Sequence, residues 1–214
     1  EEAKRLDLGE GRVTRISGSP DGSRIVAFLE QYKCVFDEDA DVRQLARAGC
    51  NLIFAPPPDE MYGDGFSTTV SLEGPARAGL EDRFRPQFFD GVATVVAKLF
   101  IQSGADYAMF GEKDYQQLMV VTRMARDLDI PIEVIGIPTV REEDGLAMSS
   151  RNRYLSPAER KHATAIYEAL TLAAEKIRAG IDPQTATRSA TLALTTQGFK
   201  VDYVTARNAE SLAV

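Results

Sequence analysis

The sequence predicts an α/β protein of the doubly wound class, in which helices cover a mostly parallel sheet. Between residues 51 and 137, short apolar runs alternate with longer stretches of helical periodicity. Consecutive strand–helix–strand units of this kind form parallel sheets through right-handed crossovers. Ligands bind beyond the carboxyl ends of such strands, so functional residues are expected directly after the predicted strands.

The first predicted elements follow a segment that is rich in charge and glycine. Residues 25–29 favour a short strand, and a helix over 41–48 is expected to end at Gly49. Residues 51–55 predict a buried strand, because they form an apolar run that ends at consecutive prolines. A long loop is then expected from 59 to 85.

The middle of the chain carries the strongest periodicity. A helix, a strand, a second helix and a second strand are predicted over residues 87–103, 107–110, 113–127 and 132–137. Gly104 is expected to cap the first of these helices, and Pro131 is expected to stop the second. This run supplies the strand–helix–strand unit on which the fold class depends.

The last part of the chain begins with a helix signal. Ser156 is a predicted N-cap, Pro157 occupies the first helical position and Glu159 lies three residues after the cap. This helix is expected to run to about residue 179. The remaining predicted elements are a helix and a strand, over residues 182–196 and 200–204.

Composition and charge exclude two classes of partner. The formal net charge is -7, whereas a nucleic-acid surface needs a basic stripe that releases counterions. No run of about 18 apolar residues occurs, so no segment is expected to span a membrane. The cysteines Cys34 and Cys50 are too few for a disulfide framework and predict reduced thiols in a cytoplasmic protein.

A first candidate site is the sequence GEKD at 111–114, where a predicted strand ends and a helix begins. Gly111 permits close backbone approach to a ligand, and free amides at a helix start attract anions. Lys113 could then meet a phosphate as a point charge. The alternative is that Glu112 and Asp114 simply favour the first helical turn electrostatically.

A second candidate site is the sequence MSSRN at 148–152, within a loop that begins at Asp144. Two hydroxyls and a guanidinium on one segment suit a triphosphate, since arginine holds phosphoryl oxygens bidentately. Closing such a loop would stabilise negative charge in a transition state. The alternative is a solvated connector, because loops of serine and arginine are common.

Together the two segments are specific, because residues 85–155 resemble pantothenate synthetases almost continuously. The matching text includes FGEKDYQQL at 110–118, PTVRE at 138–142 and DGLAMSSRNRYL at 144–155. Upstream, ARAGCNLIFAPPPDEMY at 46–62 also fits.

The resemblance implies a nucleotidyltransferase-type, Rossmann-like parallel sheet with a smaller, incomplete C-terminal lid domain. The nucleotide-binding domain would occupy residues 1–150, of which 1–38 are divergent, and the partial lid would occupy 151–214. A hinge is expected near residues 151–155. The resemblance also implies a homodimer.

The resemblance further implies a ligase of coenzyme A biosynthesis that uses ATP and Mg²⁺. Such an enzyme condenses pantoate with β-alanine to pantothenate through a pantoyl adenylate. No metal ligand is assigned in this chain. The alignment of Asp41 and Gln44 with metal-associated positions is loose, and a helix surface is the preferred interpretation of both.

The resemblance assigns roles to particular residues. Gln117 would bind pantoate, and the backbone at Val140 would border the adenine. Lys113 would contact phosphates and act in catalysis, as would Ser149, Ser150 and Arg151. The predicted ATP site comprises Gly111, Glu112, Lys113, Asp114, Val140, Met148, Ser149, Ser150 and Arg151.

Three departures from the family pattern suggest an alternative. The family's His-x-Gly-His does not occur in this sequence, whose single histidine, His162, is expected on a helix surface. The Asn-Pro-x-Gln-Phe segment is replaced by EQYKCVF at 30–36, and Phe88 stands where the family has a pocket histidine. The alternative function is therefore a catalytically impaired, nucleotide-binding or interaction remnant of the family.

Overall fold

Residues 15–18, 25–28 and 38–214 are described by the computed structural model. The chain divides into two units, Glu1–Pro138 and Thr139–Val214. The predicted domain boundary at residue 150 stays a prediction. Within the described residues, no helix combines the length and apolarity that crossing a bilayer requires.

The first unit contains five strands among its described residues, in two sheets. In one sheet, β1 (Arg15–Gly18) pairs antiparallel with β2 (Ile25–Phe28), and β2 pairs parallel with β3 (Leu52–Phe54). In the other, β4 (Tyr107–Gly111) runs parallel to β5 (Glu133–Ile137). The β4–β5 pair is the parallel unit that the periodicity predicted.

The strands predicted in this unit are confirmed to within one residue at each end. The predicted burial of the strand at 51–55 is wrong, because 60% of Leu52 is exposed. The reason is its place in the sheet: β3 is the last strand in the order β1–β2–β3, and one of its edges has no partner strand in the described part of the chain. A strand at the edge of a sheet is covered less completely than a central strand, so the side chain of Leu52 stays exposed.

The predicted helix over 41–48 is α1 (Glu38–Arg47), and Gly49 follows it with a positive φ of 83°. The long loop predicted over 59–85 is corrected by three short helical segments. These are α2 (Pro58–Met61), a 3-10 turn (Gly74–Arg77) and α3 (Glu81–Phe84). Proline occupies one of the first two positions of the first two segments, where its fixed φ suits a helix start.

The core of the first unit is built on α4 (Phe88–Ser103). Gly104 ends this helix in the left-handed conformation, with its N–H donating to Phe100 O at 3.1 Å, as predicted. Because the helix is apolar around most of its circumference, half of its 16 residues are buried. Its buried residues are Phe89, Ala93, Thr94, Val95, Val96, Ala97, Leu99 and Phe100.

The helix predicted over 113–127 begins with a 3-10 turn (Glu112–Asp114) and continues as α5 (Tyr115–Asp127). Pro131 is not its stop signal. The helix ends at Asp127, and two residues later Asp129 adopts a φ of 51°, while the N–H of Ile130 donates to Ala125 O at 3.0 Å. This bond from the residue after a left-handed position is the Schellman pattern, and it satisfies the last helical carbonyls before the proline is reached.

The second unit is helical, with α6 (Pro157–His162), α7 (Ala165–Arg178) and α8 (Pro183–Thr196). The predicted capping box of α6 is confirmed, since both of its reciprocal hydrogen bonds are present. The single helix predicted up to about residue 179 is wrong, because the chain interrupts it between α6 and α7.

The strand predicted over 200–204 is also wrong. No strand occurs among residues 139–214, all of which are described. Val204 instead packs against a cluster of alanines on α7 and α8, formed by Ala173, Ala186 and Ala190. Burial against helices thus explains the apolar character that predicted a strand.

Candidate functional site

The first half of the predicted site lies where β4 ends. Gly111 is its last residue, and the 3-10 turn Glu112–Asp114 connects it to α5. The φ of Gly111 is −68°, which any residue adopts, but no atom lies within 4 Å of the position that a Cβ would occupy. The glycine therefore leaves open space in front of the strand end.

Lys113 projects its ammonium from this turn. Its Nζ contacts both carboxylate oxygens of Asp114, at 2.8 and 3.0 Å. Both side chains are substantially exposed, and an exposed pair of this kind contributes about 0–1 kcal/mol. The ammonium can therefore exchange its neighbouring carboxylate for a phosphate at low cost.

Gln117 lies half-buried in the first turn of α5, next to the buried Gln116, whose side chain makes hydrogen bonds within the protein. The Gln116 Oε1 accepts from the N–H of Glu81 at 3.0 Å. Its Nε2 donates to Pro75 O at 2.9 Å and to Asp82 Oδ1 at 2.8 Å. Gln116 thus fastens the segment before α4 to the start of α5.

Sequence reasoning missed Gln116, although a signal existed. The residue precedes Val120 and Met124 at helical i+4 spacing, and all three are buried on α5. A polar residue on a buried face requires hydrogen-bond partners. The spacing could therefore have marked Gln116 as a structural anchor and left Gln117 as the residue available to a ligand.

The carboxylate of Asp82 completes this anchor. Burial raises its pKa, but hydrogen bonds from Gln116 and from the N–H groups of Leu80 and Gly79 outweigh burial and hold the pKa below its usual value. The N–H groups donate at 3.0 Å each. Asp82 is therefore a hydrogen-bond acceptor that stays ionised at neutral pH.

The second half of the predicted site lies in the second unit and begins with a short hairpin over residues 140–148, the anchored hairpin. Met148 N–H donates to Val140 O at 2.9 Å, and Glu142 N–H donates to Leu146 O at 2.8 Å. Arg141 and Ala147 form an isolated antiparallel bridge. The side chains of Val140 and Met148 are exposed on the two arms of this hairpin.

The serine and arginine segment follows the hairpin directly. Ser149 Oγ accepts from the N–H of Arg151 at 3.2 Å and caps a 3-10 helix (Ser150–Tyr154). The Ser149 hydroxyl donates to no acceptor in the part of the chain that the structure describes and can point at a ligand, and Ser150 is half-buried beside it. The Arg151 guanidinium is exposed and contacts no carboxylate among the described residues.

The predicted site residues thus fall into two groups, one in each unit. The structure brings Gly111, Glu112, Lys113 and Asp114 into one turn, with Gln117 in the adjoining helical turn. It brings Val140 and Met148 together as hydrogen-bonded partners, with Ser149, Ser150 and Arg151 following them.

His162 occupies the exposed last position of α6, so the predicted helix-surface placement is confirmed. Its Nε2 lies 2.9 Å from Gln197 O, and its ring stacks on Phe199 with centroids 4.5 Å apart. These contacts tie α6 to the end of α8. The histidine therefore has a structural role in its own unit.

Cys50 forms no disulfide within the described part of the chain, and its Sγ donates to Leu52 O at 3.0 Å. Cys34 and the segment 30–36 lie outside the described residues, as do the side chains of Asp41 and Gln44. Their predictions therefore stay predictions. Across the described residues no group of three acidic, histidine or cysteine side chains could hold a metal ion.

Comparison with known proteins gives one consistent family. A family model described as pantoate-beta-alanine ligase matches residues 28–214. The pantothenate synthetase of Caulobacter vibrioides is 59% identical over 177 residues, covering 82% of this chain and 62% of that protein. That of Bradyrhizobium sp. is 58% identical over 173 residues, covering 81% and 61%. The chain thus spans about three fifths of the length of these curated relatives.

Solved structures agree with this result. A pantothenate synthetase from Thermus thermophilus superposes with a TM-score of 0.83 at 45% identity, covering 89% of this chain and 74% of that one. A pantoate-beta-alanine ligase from Francisella tularensis, complexed with beta-gamma ATP and beta-alanine, gives a TM-score of 0.68 at 30% identity, covering 79% and 62%. These structures confirm the predicted nucleotidyltransferase-type α/β fold.

Proposed function

Because this chain belongs to the pantoate-β-alanine ligase family, we propose that it catalyses the ATP-dependent condensation of pantoate with β-alanine to pantothenate, a step of coenzyme A biosynthesis. The observation that carries the proposal is the family match over residues 28–214, which includes both groups of site residues. The Francisella tularensis relative was solved with beta-gamma ATP and beta-alanine, which supports these ligands here.

The proposed reaction has two steps, formation of an acyl adenylate and then of an amide. The pantoate carboxylate attacks the α-phosphorus of ATP, and the bond to the departing pyrophosphate breaks, which leaves pantoyl adenylate. The amine of β-alanine then attacks the acyl carbon, AMP leaves, and the amine releases a proton. Activation works because AMP is a far better leaving group than hydroxide.

The exposed cations suit the phosphates of ATP. Lys113 offers a point charge from the strand end, and Arg151 offers a guanidinium fork that can hold two phosphoryl oxygens. Ser149 and Ser150 would add hydroxyl donors on the same segment. Positive charge placed where negative charge develops stabilises a phosphoryl-transfer transition state.

Mg²⁺ is proposed with ATP rather than as a resident metal. Magnesium usually binds nucleotide phosphates with only one or two protein carboxylates, so the lack of a three-residue metal cluster among the described residues is compatible with it. Asp114 supplies an exposed carboxylate beside Lys113. When bound, the ion would neutralise phosphate charge.

The remaining roles concern specificity and assembly. Gln117 would hydrogen-bond pantoate, and the open space next to Gly111 would admit part of the ATP molecule. The backbone at Val140 and the side chain of Met148 would border the adenine. A homodimer and a cytoplasmic location belong to the same proposal, and light scattering of the purified chain measures the first.

The alternative of a catalytically impaired remnant is not favoured, because relatives at 58% and 59% identity are named pantothenate synthetases. A direct test is the release of AMP from ATP, followed chromatographically with pantoate and β-alanine present or omitted. We expect release that depends on both substrates. AMP formation that is absent, or indifferent to either substrate, would contradict the proposal.

A lysine variant sharpens this test. Lys113→Ala should lower kcat/KM by about 10²–10³, the usual effect of removing one charge-stabilising group. Lys200→Ala removes an equally charged, exposed lysine and should leave the rate unchanged. Equal rates for the two variants would refute the phosphate role of Lys113. Calorimetric titration with ATP then separates lost binding from lost chemistry.

A further inference from the structure

One carboxylate links the anchored hairpin to α6. Asp144 lies at the turn of the hairpin, and its two oxygens accept from the Nη1 and Nη2 of Arg160 at 2.7 and 3.1 Å. The same carboxylate accepts from the N–H of Leu146 at 3.2 Å. A two-point contact with a planar guanidinium fixes orientation as well as distance. Asp144 therefore joins the hairpin turn to a helix sixteen residues away.

A second attachment holds the hairpin against α7. The Arg141 guanidinium lies 3.7 Å from the ring centroid of Tyr167 and donates to Gly145 O at 3.1 Å. Gly145 has a φ of 89°, and a Cβ there would stand 2.8 Å from the Tyr167 ring. Only glycine fits this backbone and this approach without displacement.

The hairpin in turn sets the position of the segment that follows it. The bond from Met148 N–H to Val140 O is its last rung and immediately precedes Ser149. From the other side, Asn152 Nδ2 donates to Ala147 O at 3.0 Å. Hydrogen bonds to the hairpin therefore hold the segment on both sides, at Met148 and at Asn152. The Ser149 hydroxyl and the Arg151 guanidinium project from the residues between them.

The Asp144–Arg160 pair is poorly suited to a stabilising role. The exposed fractions of the Arg160 and Asp144 side chains are 30% and 47%. Pairs that solvent reaches to this extent contribute little to stability. Their geometry is nevertheless definite here, and a displacement of about 1 Å at a reacting group can cost on the order of 10²-fold in rate.

We propose that Arg160 is a positioning residue, which holds Asp144 and thereby fixes the anchored hairpin so that Ser149 and Arg151 meet the phosphates of ATP. This role rests on the proposed function. Arg160 itself touches neither substrate nor reacting atoms. Its effect passes through Asp144 and the backbone of the hairpin.

The kinetic test compares Arg160→Gln, Arg160→Lys and Asp144→Asn in the full chain, with Arg178→Gln as an exposed arginine control in the same unit. We expect Arg160→Gln to lower kcat/KM for ATP by about 10–10²-fold, chiefly through KM, at an almost unchanged melting temperature. Arg160→Lys, which keeps the charge but loses the fork, should recover only part of this loss.

The double variant decides whether the pair acts as a unit. If Arg160 works through Asp144, then Arg160→Gln combined with Asp144→Asn should cost no more than the larger single loss. Additive losses would place Arg160 in a separate role and overturn the proposal. Variants that match Arg178→Gln in both KM and kcat would overturn it as well.

A measurement that does not depend on enzyme activity separates the positioning role of Arg160 from the proposed ligase function. Amide hydrogen exchange of the unliganded chain should become faster at Leu146 and Met148 in Arg160→Gln, while amides of α8 keep their rates. Unchanged exchange at these two amides overturns the positioning role, whatever the activity. If the wild type releases no AMP, the proposed ligase fails, and faster exchange in the variant still supports the anchoring of the hairpin.

Discussion

The two halves of the proposed site are supported in opposite ways. The turn after β4 stands on a buried core, since Phe110, the residue before Gly111, is only 3% exposed and meets the Phe100 ring edge to face at 6.2 Å. The anchored hairpin instead depends on contacts that solvent reaches, chiefly the pair of Asp144 with Arg160.

This difference indicates which half adjusts to a ligand. Moving a packed aromatic core creates voids, whose surroundings relax only partially. Breaking an exposed ion pair costs little, because water replaces the lost contacts. We therefore expect the strand end to keep its local geometry when nucleotide binds, and the local geometry of the hairpin to respond.

The largest expected effect comes from the core. Phe100→Ala removes a side chain that is 2% exposed and that packs under the strand end, so it should lower the free energy of unfolding by about 3–5 kcal/mol. Urea denaturation followed by circular dichroism measures this. The neighbouring Ile101→Ala is the matched control, because 69% of Ile101 is exposed. Similar losses in both variants would contradict the buried support.

The next effect separates the adjacent glutamines of α5. Gln116→Leu should cost about 1–3 kcal/mol of stability, because the N–H of Glu81 and the carbonyl of Pro75 lose their partner while partly buried. Gln117→Leu should leave the unfolding midpoint nearly unchanged and raise the KM for pantoate. Denaturation and AMP release, measured on both variants, check the split. A reversed pattern would exchange the two assignments.

Periodicity explains how much of the fold the sequence predicts. The helix α4 and the strands β4 and β5 have strong apolar patterns, and their predicted bounds agree with the structure to within one residue. The errors arise where tertiary contacts decide. Val204 lies in a segment that was predicted as a strand, but its side chain packs on helices. Leu52 lies in an apolar run that forms an edge strand, and its side chain stays exposed.

The resemblance selects the residues that are proposed for the site, but it does not indicate the contacts that support them. The structure places these residues in the turn after β4 and the first turn of α5, and in the anchored hairpin and the 3-10 helix that follows it. Gln116 contacts Asp82, which lies 34 positions away in the sequence. Arg160 contacts Asp144, which lies 16 positions away. Such pairs depend on the course of the backbone between them, which local patterns do not encode.

The smallest expected effect concerns acid. The hydrogen bonds from Arg160, and after them the bond from the N–H of Leu146, hold the pKa of Asp144 below its usual value. The contribution of the ionised Asp144 to the stability of the folded chain is therefore fully present above the pKa of an aspartate in the unfolded chain, about 3.9. It is lost as the pH falls through the lower pKa of the folded state. The anchored hairpin should loosen only in strong acid.

The amide of Leu146 reports this titration, because it donates to the titrating carboxylate. Its nuclear magnetic resonance shift, followed from about pH 6 downward, should have a midpoint below about 3.9. Arg160→Gln should move that midpoint upward toward the ordinary value, and Asp144→Asn should abolish it. A midpoint that persists in Asp144→Asn would contradict the assignment of this titration to Asp144. The hairpin would then be held by a different charge from the one its geometry indicates.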